Sequence, residues 1–326
     1  MMSGQEIFNI STFSEFEKTA LEVFEFQFGN NPVYRKFCDL LNRNPQNVSS
    51  LETIPFIPIQ FFKSDKIISS EEKAEIIFTS SGTTGNQTSK HYVTDLSIYE
   101  KSFRKGFESF YGNIEDYAVL ALLPSYLERE GSSLIYMAED FIKKSKNKHS
   151  GFHLNNFSEL KNKLIELDSE GQKILLIGVS FALLDLAEMN EFQLKNTIIM
   201  ETGGMKGRRK EMIRQELHSV LKTGFGVDKI HSEYGMTELL SQAYSKGDGI
   251  FECPPWMHVL IRDPEDALSF FPNKKTGGLN VIDLANINSC SFIATQDLGR
   301  KKTQNQFEIL GRFDNSDIRG CNLLVL

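Results

Sequence analysis

The sequence predicts an α/β fold in which parallel-containing sheets flanked by helices run into a smaller β-rich part. Three observations carry this. After IPFIPIQFFKS, short apolar runs alternate with helical patterns, the rhythm of a parallel sheet with its crossovers. From about Phe251 the texture changes to short strands punctuated by Gly, Pro and Asn, with no further long helix. The 326 residues, 40% hydrophobic and 24% charged, suffice for a sizeable core in one large domain or two close-packed ones.

In chain order, residues 11 to 42 read as helical. Ser14 and Glu17 have capping-box spacing, and Phe16, Ala20, Leu21, Phe24 and Phe28 recur at helical intervals. Asn30, Asn31 and Pro32 divide this stretch into two helices. Then follow the strand AEIIF, the helix SIYEKSFRKGF with Ser97 and Glu100 at its start, and the strand YAVLALL. A helix near 158 to 168, the strand KILLIGVSF, a helix from Ala182, the strand TIIME and a helix from Arg208 to Leu221 complete the alternation. The expected organisation is an N-terminal helical segment over 1–50 packed on the main domain, an α/β core over 51–250, and a β-rich subdomain over 251–326.

Cys38, Cys253, Cys290 and Cys321 are scattered without a CxxC pair or a zinc-finger histidine, so neither a disulfide framework nor a structural metal is expected. The N-terminus lacks the basic and apolar run of a signal peptide, and no stretch approaches the roughly 18 apolar residues of a membrane span. A soluble, cytoplasmic protein is expected. A net charge of −7 argues against a nucleic-acid partner.

The loop FTSSGTTGNQTSK (78–90) crowds hydroxyl residues and glycines after the apolar pair Ile76 and Ile77. It can be a linker, an ordinary turn or an anion nest. Gly82 and Gly85 allow the unusual dihedrals that turn successive amides into one concavity, Ser80, Ser81, Thr83 and Thr84 add hydroxyl donors, and Lys90 adds a charge. It is not a Walker A loop, because GxxxxGK[ST] does not occur here.

Downstream, HSEYGMTE (231–238), FIATQDLGR (292–300) and EILGRFDNSDIRGC (308–321) follow in order. Together with SSGTTG they resemble the motifs of the adenylate-forming superfamily. FFKS (61–64), SSGTTGNQTSKH, YGMTE and an end shortly after RGC resemble the LuxE-like acyl-protein synthetases more narrowly. This resemblance covers residues 50 to 326 and leaves the N-terminal helices less diagnostic.

The resemblance implies ATP and Mg²⁺ as cofactors and assigns roles residue by residue. The Ser80, Ser81, Gly82, Thr83, Thr84, Gly85 loop and Lys90 would hold the departing phosphates. Glu238 would bind magnesium, a hard cation that prefers oxygen ligands. Tyr234 and Gly235 would lie against the adenine, with Thr237 beside them and Gly203 and Gly204 lining the pocket. Asp297 would accept the ribose hydroxyls, and Arg312 would support it. Each residue also has an ordinary reading: Glu238 as a helix-start acid, Asp297 as a turn residue and Arg312 as a surface cation. His91 and His231, which flank two of the motifs, are candidates for the substrate pocket and also read as hydrogen-bonded structural histidines.

Two departures stand out. Adenylate-forming enzymes usually continue past the hinge, here around Asp314, into a small domain carrying a catalytic lysine, whereas this sequence stops at Leu326. Lys90, Lys206 or a partner would then supply that charge. TQD also replaces the superfamily's common TGD. Cys321 separates the possible reactions. In the resembled family a C-terminal cysteine accepts the acyl group, while GCNLLVL also reads as a terminal core strand with an inert thiol. The expected activity is ATP-dependent formation of acyl-AMP from a carboxylic acid, a fatty acid by resemblance, then acyl transfer to Cys321 as a thioester. The onward acceptor would be an acyl-CoA reductase, an acyl carrier protein or coenzyme A. The alternatives are an acyl- or aryl-CoA ligase of the phenylacetate-CoA ligase type with its C-terminal domain supplied in trans, and a non-catalytic protein that binds a nucleotide or acyl adenylate.

Overall fold

The computed structural model describes residues 4–80, 88–123, 131–153, 156–189, 191–203, 212–272 and 274–313. Ser81, Gly82, Thr83, Thr84, Gly85, Gly204, Lys206, Asp314 and Cys321 lie outside the described residues.

The chain opens with α1 (Phe13–Asn30) and α2 (Pro32–Leu40). The capping box is Thr12 with Glu15, not Ser14 with Glu17. Thr12 stands in extended backbone and accepts from the Glu15 amide, and the Glu15 carboxylate accepts from Thr12 N at 3.1 Å and Ser11 N at 2.8 Å. Ser14 is already helical and cannot take the half-in cap geometry. The break at Asn31 falls where the sequence places it: its side chain caps α2 by accepting from Tyr34 N at 3.0 Å, with Pro32 at the first helical position.

Next come β1 (Ile57–Pro58), α3 (Phe61–Ser64) and the antiparallel pair β2 (Ile76–Thr79) and β3 (Lys90–Val93). The alternating section contains α4 (Leu96–Tyr111), β4 (Ala118–Leu122), α5 (Ser133–Ser145), β5 (Gly151–Phe152), α6 (Phe157–Ser169), β6 (Ile174–Val179), α7 (Ser180–Glu188), β7 (Thr197–Thr202), α8 (Arg214–Phe225) and β8 (His231–Tyr234). Asp95 rather than Ser97 caps α4, accepting from Ser97 N. Helix α5 was not among the elements expected from sequence. Ser132 caps it, and Ile135, Ala138 and Phe141 form its buried stripe. The last strands are β9 (Ala243–Ser245), β10 (Ile250–Glu252), β11 (Met257–Arg262), β12 (Gly277–Asp283), β13 (Phe292–Lys301) and β14 (Gln306–Arg312).

One hydrogen-bonded path runs β11-β12-β13-β14-β10-β9-β8-β7-β6-β4-β5. Strands β8, β7, β6, β4 and β5 pair in parallel; from β8 to β9 and onward through β10, β14, β13, β12 and β11 the pairing is antiparallel. Every residue of β4 and of β6 is buried, as befits parallel strands covered on both faces. The change of pairing at β8 sets the YGMTE motif between the two halves.

Candidate functional site

A cleft of about 760 Å³ opens at the C-terminal ends of β6, β7 and β8, the edge at which open α/β sheets bind ligands. Among its walls are Ser80, Gly203, Tyr234, Gly235, Thr237, Glu238, Asp297 and Arg312. These residues come from distant motifs and share one cavity.

Asp297 and Arg312 face one another in the register of β13 and β14, so the Arg312 Nε stands 3.2 Å from Asp297 Oδ1. From the end of β8, the Tyr234 hydroxyl donates to Asp297 Oδ2 at 2.8 Å. Burial pushes the Asp297 carboxyl above its ordinary value, against the opposing pull of Arg312 and the Tyr234 hydroxyl. Tyr234 is thus a partner of the carboxylate, a role its motif position alone did not reveal. Gly235 follows because a Cβ there would lie 2.3 Å from Glu233 Oε1. Gly203 ends β7 at φ +69°, a left-handed conformation that favours glycine, and its carbonyl accepts from the Ser180 hydroxyl at 2.5 Å.

Glu238 is buried at the cleft wall. Burial raises its carboxyl above the ordinary value, opposed by a hydrogen bond from Ser89, its own amide and the charges of Arg312 and Lys63. The loop that carries Glu238 is fixed from behind. Asp283 accepts from Leu240 N at 2.9 Å, Ser241 N at 2.8 Å and Ser241 Oγ at 2.6 Å. Asn286 donates to the Glu238 carbonyl at 2.8 Å and accepts from Leu240 N at 3.1 Å. The turn bearing Asn286 is itself held by α1, because the buried Gln27 side chain donates to Asn286 O and Ile287 O and accepts from Ser291 N. Asn31 adds a bond to Ser289 O at 2.9 Å.

The 78–90 loop is described only at its base, where Ser80 N donates to Ser89 O and Ser89 N to Ser80 Oγ at 2.9 Å. Lys90 does not join the other motif residues. On β3, His91 and Val93 point inward, while Lys90 is exposed and does not line the cleft. Lys63, at the end of α3, does line it. His91 is fully enclosed, its Nδ1 2.9 Å from Thr237 O and Nε2 2.8 Å from Ser289 Oγ, and burial holds it down at about 4. It ties the YGMTE loop to the 286–291 turn. His231 contacts the Tyr111 hydroxyl at 3.3 Å and does not line the cleft. Neither of these two substrate-pocket candidates lines the cleft.

Sequence reasoning passed over further polar groups in the cleft. Glu201 on β7 pairs with Arg214 at 2.8 Å. Burial pushes its carboxyl up, but His218 and Arg214 outweigh that and hold it below the ordinary value. Glu233 on β8 accepts from Thr202 Oγ1 at 2.6 Å, and Gln242 lies beside it. Acidic residues inside strands carry no periodic signal, and only the fold shows that these lie at strand ends facing a cavity.

This fold is that of the adenylate-forming ligases. It matches an open conformation of 2-hydroxyisobutyryl-CoA ligase solved with 2-HIB-AMP and CoA, with TM-score 0.66 and 12% identity over 91% of this chain and 74% of that one. It also matches ATP-bound MatB from Rhodopseudomonas palustris, with TM-score 0.54 and 17% identity over 72% of this chain and 47% of that one. In sequence, part of the chain is similar to the LuxE family. The family model "Acyl-protein synthetase, LuxE" matches residues 11–101, and a long-chain-fatty-acid--luciferin-component ligase of Vibrio harveyi is 21% identical over 336 residues, 92% of this chain and 84% of the relative. The family match includes α1 and α2, so the helices thought less diagnostic carry part of the likeness. Their contacts behind Glu238 give a physical reason for it.

Proposed function

We propose that this chain activates a carboxylic acid, of the fatty-acid class named for its Vibrio harveyi relative, by forming acyl-AMP. The acid's carboxylate oxygen attacks the α-phosphorus of ATP, the bond to the departing pyrophosphate breaks, and the acyl adenylate remains in the cleft. The observation that carries this reading is the convergence of Asp297, Tyr234 and Arg312 with Glu238 in a single cavity at the sheet's ligand-binding edge.

Asp297 would accept hydrogen bonds from the ribose hydroxyls on the lone pairs that Tyr234 and Arg312 leave open. Lys63 and Arg312, which line the cleft, would face phosphate charge together with Ser80 at the loop's base. Among the described residues no three His, Cys, Asp or Glu gather as a metal cage. Glu238, a buried carboxylate on the cleft wall, would supply an oxygen ligand to a magnesium ion arriving with ATP, an ion that is usually held by one or two carboxylates and substrate phosphates. Bound there, it would neutralise charge on the phosphates. Burial disfavours the charged form of the Glu238 carboxyl, and a cation brought beside it would favour the ionised form.

In the second step the Cys321 thiolate attacks the acyl carbonyl carbon, AMP leaves, and a thioester forms, to be passed to a reductase, an acyl carrier or coenzyme A. The test of activation is exchange of labelled pyrophosphate into ATP with a panel of acids. Glu238→Gln is expected to lower it by about 10²- to 10³-fold, the effect of losing one transition-state charge partner. Tight ATP binding without exchange for any fatty or aromatic acid would replace this reading with that of a binding protein.

A further inference from the structure

The α4/α5 side of the cleft is built unlike a pocket for an unadorned alkyl chain. Glu233 and Tyr244 are register partners across β8 and β9, and strand alternation sets Gln242 on the same face as Tyr244. Gln242 is 5% exposed and lines the cleft, yet its Oε1 has no hydrogen-bond partner among the described residues. Glu233 also lines the cleft, and among the described residues only the Thr202 hydroxyl is bonded to its carboxyl group. A Cβ placed on Gly235 would be 2.3 Å from Glu233 Oε1 and 3.3 Å from Gln242 Cγ, so the two side chains converge beside the glycine that joins them. Ser132, Ser133 and Tyr99 line the same region.

Buried acceptors without donors cost free energy unless something supplies the donors. Arg214 bonds Glu201 through Nη1, and among the described residues no bond joins its unpartnered Nε to Gln242 or Glu233. Resting on the acid-activation reading above, we propose that the acyl group of the substrate carries a hydrogen-bond donor, a hydroxyl or an ammonium, which Gln242 Oε1 and the Glu233 carboxyl receive. The acid is then a hydroxy- or amino-substituted one rather than a plain n-alkanoic acid. The electrostatics agree. Burial raises Glu233 to about 7, the neighbouring Glu201 adds to this, and Thr202 opposes it; the other titratable groups facing it are Tyr99 and Tyr244. No fixed cation compensates it among these, so an incoming ammonium or hydroxyl meets an acceptor awaiting a partner.

The experiment uses the full chain with acids matched in length, from about four to about sixteen carbons, as a small-molecule cleft of typical size can take, bearing methyl, hydroxyl or ammonium at the same position. Pyrophosphate exchange gives kcat/KM, and calorimetry gives direct binding. The expected result is a preference of at least about tenfold for a donor-bearing acid over its methyl counterpart. Gln242→Leu should erase the hydroxyl preference and Glu233→Gln the ammonium preference, each read as the kcat/KM ratio between the donor-bearing acid and its methyl counterpart in the same variant. For an ammonium acid, KM should fall as pH rises through about 7 in the wild type and not in Glu233→Gln. Faster exchange with n-alkanoic acids overturns this inference while sustaining acid activation. Donor-bearing acids that neither exchange nor bind overturn it as well, and if no acid exchanges at all the activation reading falls with it.

Discussion

Replacing Tyr234 by Phe removes one oxygen and asks which partner holds the Asp297 carboxylate. The lost bond is 2.8 Å long between two buried groups. A hydrogen bond to a charged group contributes about 1.5 to 3 kcal/mol, so Tyr234→Phe should cost about 2 kcal/mol at neutral pH. The Arg312 bond, though ionic, joins Asp297 to a side chain that is 70% exposed; solvent screening leaves about 1 kcal/mol or less, and Arg312→Ala should cost less than Tyr234→Phe. The sign of the pH dependence follows from Asp297 being raised by burial above 3.8. Its proton is held by the fold, so this group's contribution is fully present below the unfolded value and is lost as pH rises through the folded one. Removing the Tyr234 donor destabilises the anion only, raising the folded value further. The gap between wild type and Tyr234→Phe should therefore be full at neutral pH and narrow as Asp297 protonates. Urea unfolding at several pH values measures it. A larger loss in Arg312→Ala than in Tyr234→Phe, or a gap that widens toward acid, would refute the assignment.

Lys63→Ala should slow pyrophosphate exchange by about tenfold or more, whereas Lys90→Ala, on an exposed side chain outside the cleft wall, should change it little; the reverse order would return the phosphate role to Lys90. Asn286→Ala strips donors from Glu238 O and Cys290 O, and with two buried carbonyls left unpaired should lower stability by about 2 to 5 kcal/mol, read from the urea midpoint. A loss under about 1 kcal/mol would mean that Asp283 alone fixes the loop. With ATP and labelled fatty acid, wild-type protein should acquire a hydroxylamine-labile label that Cys321→Ser lacks while keeping exchange. Rapid acylation of coenzyme A with no protein label would instead make the chain a CoA ligase.

The fold and the cleft were legible in the sequence to different depths. Strands β4 and β6 announced themselves because parallel strands covered on both faces are continuous apolar runs. The cap of α1 was misplaced by two residues because Thr12/Glu15 and Ser14/Glu17 both satisfy the spacing, and only backbone geometry chooses between them. For Lys90 the motif pointed one way and alternation another: in Lys90–Val93 the buried His91 and Val93 leave the lysine outward.

What stayed hidden is mostly polar and long-range. Gln27 and Asn31 look like solvated helix residues in sequence, yet they bond to the turn at 286–291 from some 260 positions away. Asp283 and Asn286 fix Glu238 from more than forty positions away. Motifs record the residues that meet the ligand, since those are constrained locally by its chemistry. The groups that hold them in place are constrained only by where the fold brings distant backbone amides and carbonyls, and each buried polar group must find its partner there. The consequence is that α1, far from the chemistry in sequence, is mechanically part of the site: any change that unseats Gln27 should loosen the Asn286 turn and, through it, the position of Glu238.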